Sequence, residues 1–393
     1  MNREVVVLSA VRTAIGTFGG SLKDVPLKTL ATTVVREALK RSQVPAGHIG
    51  HVVMGNVIPT GPEDAYLSRI AAVDAGIPFQ VPAFNVNRLC GSGLQAIVCA
   101  AQSILLGDAD FAIAGGAESM SRGPFIQPSM RWGARMGDVQ SVDATLGILH
   151  DPWKQNHMGV TAENVANRFM ITREMQDALA LESQRRAARA IAEGRFDSQI
   201  VPVEIKTRKG TSTFCVDEHV RADVTAEQLA RMKPAFKPDG LVTPGNSSGI
   251  NDGASALVLA EAASAQELGL KPLARLIGYA HAGVDPDYMG IGPLPSTRLV
   301  LQRTGLKISD LDVIEANEAF AAQACAVIQE LGLDPQKVNA NGSGISLGHP
   351  VGATGALIAT KAIHELHRIG GRYALVTLCI GGGQGIAAIF ERL

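Results

Sequence analysis

The chain has 393 residues, with 36 Lys and Arg against 37 Asp and Glu, a formal net charge of -1, 46% hydrophobic residues and 19% charged ones. At roughly 150 residues per domain this length predicts two or three domains of a soluble globular protein, and the balanced charge offers no basic field for a polyphosphate backbone. Only 4% of residues are aromatic, too few for base-stacking platforms, so nucleic acid is excluded as the expected partner.

The N-terminus, MNREVVVLSA, runs straight into a β-branched strand at residues 5–8 without the apolar stretch of a secretory signal, which predicts a cytoplasmic protein. Leu27, Leu30, Val34 and Ala38 then fall on one helical stripe, and residues 52–54 read as the next strand. Strand and helix alternate, the α/β pattern. Residues 94–106 form the most apolar helical stretch, but it is short and carries Gln95, Gln102 and Ser103, so a core helix is expected and no membrane span. Five cysteines, an odd number without CxxC spacing, argue against a disulfide framework and a zinc site.

Residues 120–250 change character, with charged runs such as RRAARAIAEGRF and EIKTRKG, and read as an insertion. Thr172 is placed to cap a helix of about twenty residues ending near Gly194, whose Arg185, Arg186 and Arg189 are expected on a solvated face. Residues 255–260, SALVLA, look like a strand returning to the first part of the fold. Strand 274–279, a helix around 297–303 and strand 312–316 then repeat the opening order. The intervals agree with a duplication: Asn56 to Gly93 spans 37 residues and Asn317 to Gly355 spans 38, while Gly93 to Gly107 spans 14 and Gly355 to Gly370 spans 15.

Several segments could carry chemistry. Cys90, in NRLCGSG, opens the apolar helix, where the dipole and free N–H groups favour thiolate; a small buried packing cysteine is the plain alternative. Gly91 and Gly93 would let a ligand approach the backbone, whose N–H groups could hold an oxyanion. His349, in GHPVGATG, stands at the matching helix entry of the second copy and is a candidate base. Cys379 follows the strand ALVTL and precedes three glycines, at the sheet edge where open α/β folds place ligands. Asn317, in NEAFA, also follows a strand, and its amide could hold a water or a carbonyl oxygen. His364 and His367 lie one turn apart without a third ligand and are expected on a solvated helix face.

Together NRLCGSG, NEAFA, GHPVGATG and CIGGGQG resemble the thiolase family, over the whole chain and in the family's order. Within it the chain looks most like the broad-range, short-chain β-ketothiolases of polyhydroxyalkanoate-producing bacteria. Arg88 departs from the Gln or Lys of many relatives, beside the acyl site. The resemblance implies an α/β fold of two duplicated βαβαβαββ halves in five α-β-α-β-α layers with an inserted loop domain. Residues 1–120 with 249–270 would form the first half, 121–248 the loop domain and 271–393 the second half.

The implied activity is reversible Claisen condensation of two acyl-CoA molecules through an acyl-cysteine, in a homo-oligomer, expected to be a tetramer. By the same resemblance Cys90 is acylated, His349 activates it and Cys379 moves the α-proton. One oxyanion pocket consists of the N–H groups of Cys90 and Gly381, the other of His349 with a water held by Asn317. Coenzyme A contacts carry over to Leu149, His157, Met158, Arg221, Ala235, Phe236 and Ser248, with Met289, Ala319 and Phe320 facing the acyl end. Neither metal nor redox cofactor is expected, coenzyme A being substrate and product.

Overall fold

A computed structural model describes residues 3–207 and 210–393. Strand β1 (Val5–Arg12), helix α1 (Leu27–Ser42), β2 (Ile49–Gly55), α2 (Leu67–Asp74), β3 (Ala83–Val86), α3 (Ser92–Leu106) and β4 (Phe111–Ser119) form the first run. The insertion contributes α4 (Met158–Phe169) and α5 (Arg173–Ala192), after which β5 (Asn251–Glu261) closes the first half. The second half runs β6 (Ala274–Gly283), α6 (Pro293–Thr304), β7 (Val313–Ala316), α7 (Ala321–Leu331), α8 (Val351–Ile369), β8 (Tyr373–Ile380) and β9 (Gln384–Arg392).

The two halves share one topology. The first sheet has the order β3-β2-β4-β5-β1, with β2 parallel to β3 and β4 and the last two pairings antiparallel. In the second, β7 is parallel to β8, β9 runs antiparallel to β8 and β6, and Val338 bridges Ile314 where the first half has β3. Antiparallel pairs between β1 and β6, Val6 with Arg275 and Val7 with Ala274, join the sheets into one surface, to which the two-residue strand Gly16–Thr17 adds a tenth strand against β5.

Strand periodicity explains the layers. Val6 and Leu8 face α1 and α2, whereas Val5 and Val7 face the opposite side, where α3 and α8 lie between the sheets. On β8, Leu375 faces α6 and α7 while Val376 and Leu378 face the middle layer. Both faces of each sheet are therefore buried, which is why its strands read as continuous apolar runs. The five-layer duplicated fold expected from the sequence is present.

The matched glycines have matched duties. A Cβ on Gly93 would sit 2.6 Å from the Ala356 nitrogen and one on Gly355 would sit 2.3 Å from the Leu94 nitrogen, so the pair lets α3 and α8 cross in contact. Gly107 and Gly370 end these helices in the left-handed conformation, at φ 85° and 68°. The window Leu89–Leu106 has the length and hydropathy of a bilayer span, but 61% of it is buried as the middle-layer helix.

The insertion is tied down rather than draped. Arg12, at the end of β1, is fully buried and pairs in a bidentate way with the equally buried Asp217 at 2.8 and 2.9 Å. Thr172 caps α5 by accepting the Met175 N–H. Arg186 corrects the solvated-face expectation: it is half-buried, pairs with Glu182 and donates to the carbonyls of Pro335 and Val338 in the second half. His364 also departs from it, bridging the Ser198 hydroxyl and the Ala10 carbonyl.

Candidate active site

Cys90 sits in a tight turn between β3 and α3. Leu89 takes φ 47°, a costly conformation for a branched side chain, and the turn is locked by Gly91 N–H on the Arg88 carbonyl at 3.0 Å and Ser92 N–H on that of Leu89 at 2.9 Å. The Ser92 hydroxyl donates to the Leu89 carbonyl and accepts the Arg88 N–H. This over-determined loop holds the thiol against Val57, Ile58, Met120 and Val351.

Desolvation outweighs the helix dipole here. The Cys90 thiol is pushed up to about 11 by burial, only partly offset by the backbone N–H groups of Gly381 and of Cys90 itself. The expectation of a pre-formed thiolate is therefore corrected: the resting group is a thiol. The same two N–H groups converge on the sulfur, the arrangement needed to hold an oxyanion formed there.

His349 is buried at the entry to α8, its pKa lowered to about 4 by burial, so the imidazole is neutral at ordinary pH. Its backbone N–H donates to Asn251 Oδ1 at 2.9 Å, its Nδ1 lies 2.7 Å from Thr354 Oγ1, and its Nε2 lies 3.5 Å from Asn317 Nδ2. The Asn317 backbone is fixed by Thr377 and Gln323, yet its buried Oδ1 has no hydrogen-bond partner among the described residues. An acceptor left open beside a base is positioned to order a water.

Cys379, at the end of β8, is buried with Met158, Met289, Ala319 and Phe320. Burial raises its pKa most, and the charge on a Cys90 thiolate raises it further. Gly381 follows in the turn to β9. Cys90, from the first half, is thus joined to Gly381 and Cys379 of the second, while His349 and Asn317 of the second half lie against each other.

A cavity of about 370 Å³ reaches His349 and is lined among others by Leu149, His157, Arg221, Ala235, Phe236, Ser248 and Phe320. Of the predicted contacts, Met158, Met289 and Ala319 lie instead in the buried cluster around Cys379. His157 caps α4 by accepting the Gly159 N–H and stacks on Phe236 at 4.6 Å and 17°; a Cβ on Gly159 would strike that ring at 2.3 Å. Arg221 is exposed at the mouth. Arg88 points away, donating to Gln384 beside a separate surface recess.

The N-terminal domain of thiolases matches residues 5–263 and the C-terminal domain residues 270–392. The chain belongs to the thiolase family. This thiolase is 66% identical to the Beta-ketothiolase BktB of Cupriavidus necator and 49% identical to the Acetyl-CoA acetyltransferase of Escherichia coli, each over the full length of both chains. It superposes on the Bacillus anthracis acetyl-CoA acetyltransferase with a TM-score of 0.98 at 48% identity, covering both chains completely. Human mitochondrial 3-ketoacyl-CoA thiolase in complex with CoA gives 0.97 at 42% identity, over 100% of this chain and 98% of that one.

Two groups in this thiolase were not foreseen. His219 lines the cavity, its pKa lowered to about 4 by burial and then by Arg221. Glu118, at the end of β4, is fully buried and receives N–H groups from Asn56, Val57, Ile58 and Gly352, the last in the first turn of α8. Its pKa is pushed up to about 8 by burial against those donors. A carboxylate closing the otherwise apolar strand FAIAGGAES was the signal that could have found it.

Proposed function

We propose that this thiolase condenses two short-chain acyl-CoA molecules reversibly to 3-ketoacyl-CoA and free coenzyme A, through an acyl group on Cys90. The observation that supports the reading is a pair of thiols close enough to feel each other's charge, with the Gly381 N–H on the Cys90 sulfur, and a neutral imidazole that lines the cavity. His349 takes the Cys90 proton, the thiolate attacks the thioester carbonyl, and coenzyme A leaves with the proton of Cys379, which becomes the thiolate. Once Cys90 is acylated no thiolate charge can form there, so one of the two influences that raise the Cys379 pKa is gone. The Cys379 thiolate then takes the α-proton of the second acyl-CoA, the resulting enolate carbon attacks the Cys90 thioester, and the released Cys90 sulfur takes back its proton from His349. Enolate oxygen meets the Nε2–H that His349 gained from Cys90, beside Asn317, and tetrahedral oxygen meets the N–H groups of Cys90 and Gly381.

A tetramer belongs to the same proposal. Phe125, Ile126, Trp132 and Met136 are exposed on one excursion of the insertion, Trp132 by 93% and Met136 by 95%, more apolar surface than a lone subunit keeps in water. Light scattering checks the mass in solution.

The test of function is incubation with labelled acetyl-CoA alone. Acetoacetyl-CoA and free coenzyme A should appear, one residue, Cys90, should carry the label, and Cys90→Ser should lose most turnover. Turnover confined to malonyl thioesters would instead identify a decarboxylating condensing enzyme, and labelling elsewhere would overturn the assignment of Cys90.

A further inference from the structure

The hydrogen bonds around His349 decide more than its position. Thr354 lies one turn into α8, and its hydroxyl oxygen is 2.7 Å from His349 Nδ1 and 2.9 Å from the Pro350 carbonyl. A hydroxyl has one proton to give, and a carbonyl can only accept. If Nδ1 were bare, Thr354 would face two acceptors with a single proton, leaving one short contact without a hydrogen between its atoms. If Nδ1 carries the proton, both contacts are satisfied: Nδ1–H donates to Thr354 and Thr354 donates to Pro350. The other edge of the ring agrees, since Nε2 faces the Asn317 amide nitrogen, itself a donor.

We propose that Thr354 is a positioning residue that sets the tautomer of His349, keeping the proton on Nδ1 and Nε2 bare toward the cavity. The proposal deepens the reading of His349 as the base for Cys90 and rests on it for its kinetic consequence. A neutral imidazole has one basic nitrogen, and only the nitrogen turned to the thiol can take its proton. The backbone reinforces the device. Asn251 holds the His349 N–H, and Gly348 at φ 112° brings the chain so close to Asn251 that a Cβ there would lie 2.5 Å from its side chain, so the ring has little freedom to turn away from Thr354.

The experiment is ¹⁵N NMR of the full-length enzyme labelled at histidine, near pH 7, with the His349 signals identified by their loss in His349→Asn. Wild type should show Nδ1 protonated and Nε2 bare. Thr354→Val should mix the tautomers and slow acylation of Cys90 by about ten- to a hundred-fold, by analogy with partners that stand behind metal-bound histidines, while KM for acetyl-CoA stays within about two-fold. Thr354→Ser, which keeps the hydroxyl, should restore both the tautomer and the rate. A wild-type His349 with its proton on Nε2 would overturn the proposal whatever the Thr354 variants do. So would a Thr354→Val enzyme with unchanged tautomer and acylation rate, or a Ser variant no better than Val. Full-speed acylation in His349→Asn would instead defeat the reading of His349 as base, an outcome the wild-type tautomer spectrum does not share.

Discussion

The two halves place the same pair of positions at the ends of equivalent strands and use them oppositely. In the first half Gly55 pairs with Gly116, and Asn56 and Glu118 follow; in the second Ala316 pairs with Thr377, and Asn317 and Cys379 follow. Asn56 spends its amide on the Ala117 carbonyl and on Glu118, and Glu118 spends its two oxygens on four N–H donors. That corner is closed, and it braces the start of α8 on which His349 depends. At the matching corner the Asn317 oxygen is unpaired and a thiol replaces the carboxylate. One copy has its polar groups satisfied, while the other keeps an open acceptor and a thiol, the groups to which the proposed function gives the chemistry.

The comparison is tested hardest at Cys379. Cys379→Ser should still acylate at Cys90 but exchange the α-hydrogens of acetyl-CoA at least about a hundred-fold more slowly, as for a lost general base. Undiminished deuterium uptake into acetyl-CoA would remove Cys379 from the proton transfer.

The two asparagines should then separate. Asn317→Ala should lower kcat by about a hundred- to a thousand-fold, the cost of one oxyanion-site group, with little change in denaturant midpoint. Asn56→Ala should cost about 1–3 kcal/mol of stability by leaving a buried carboxylate short of a donor. Equal effects of both on kcat and on the midpoint would erase the distinction between the closed and open corners.

Arg221 lies outside both corners and should act on binding alone. Arg221→Ala should raise KM for acetyl-CoA several-fold at unchanged kcat, since an exposed pair contributes about 1 kcal/mol, and should leave a pantetheine thioester unaffected. An equal loss with both substrates would place Arg221 in support of the fold.

The smallest signal comes from pH. His349 has its folded pKa depressed to about 4 from an ordinary 6.5, so it contributes stability above pH 6.5 that is lost as pH falls toward 4, where the unfolded chain binds a proton that the folded one refuses. Replacing His349 by Asn should lower the proton uptake on unfolding at pH 5 by about one, measured by calorimetry in buffers of different ionisation enthalpy. No change would mean that the folded imidazole titrates normally.

Much of this was legible in the chain itself. Strand periodicity, glycine spacing and helix caps are local or repeat at fixed intervals, so the duplicated layers, the matched glycines of the α3–α8 crossing and the Thr172 cap could be read directly. The candidate site residues stood out because glycine-rich turns at helix and strand ends are rare in apolar elements. What only the tertiary structure decided was the balance of forces at each group. The α3 terminus predicts a thiolate at Cys90, but the surrounding layers remove water from the sulfur, and that cost exceeds the gain from the dipole. Glu118 and Asn56 are unremarkable letters until Gly352, more than 230 positions away, brings its N–H to the carboxylate. Local sequence sets which group stands at the end of an element; solvation and distant partners set whether it is charged, satisfied or reactive, because both depend on atoms that only folding brings near.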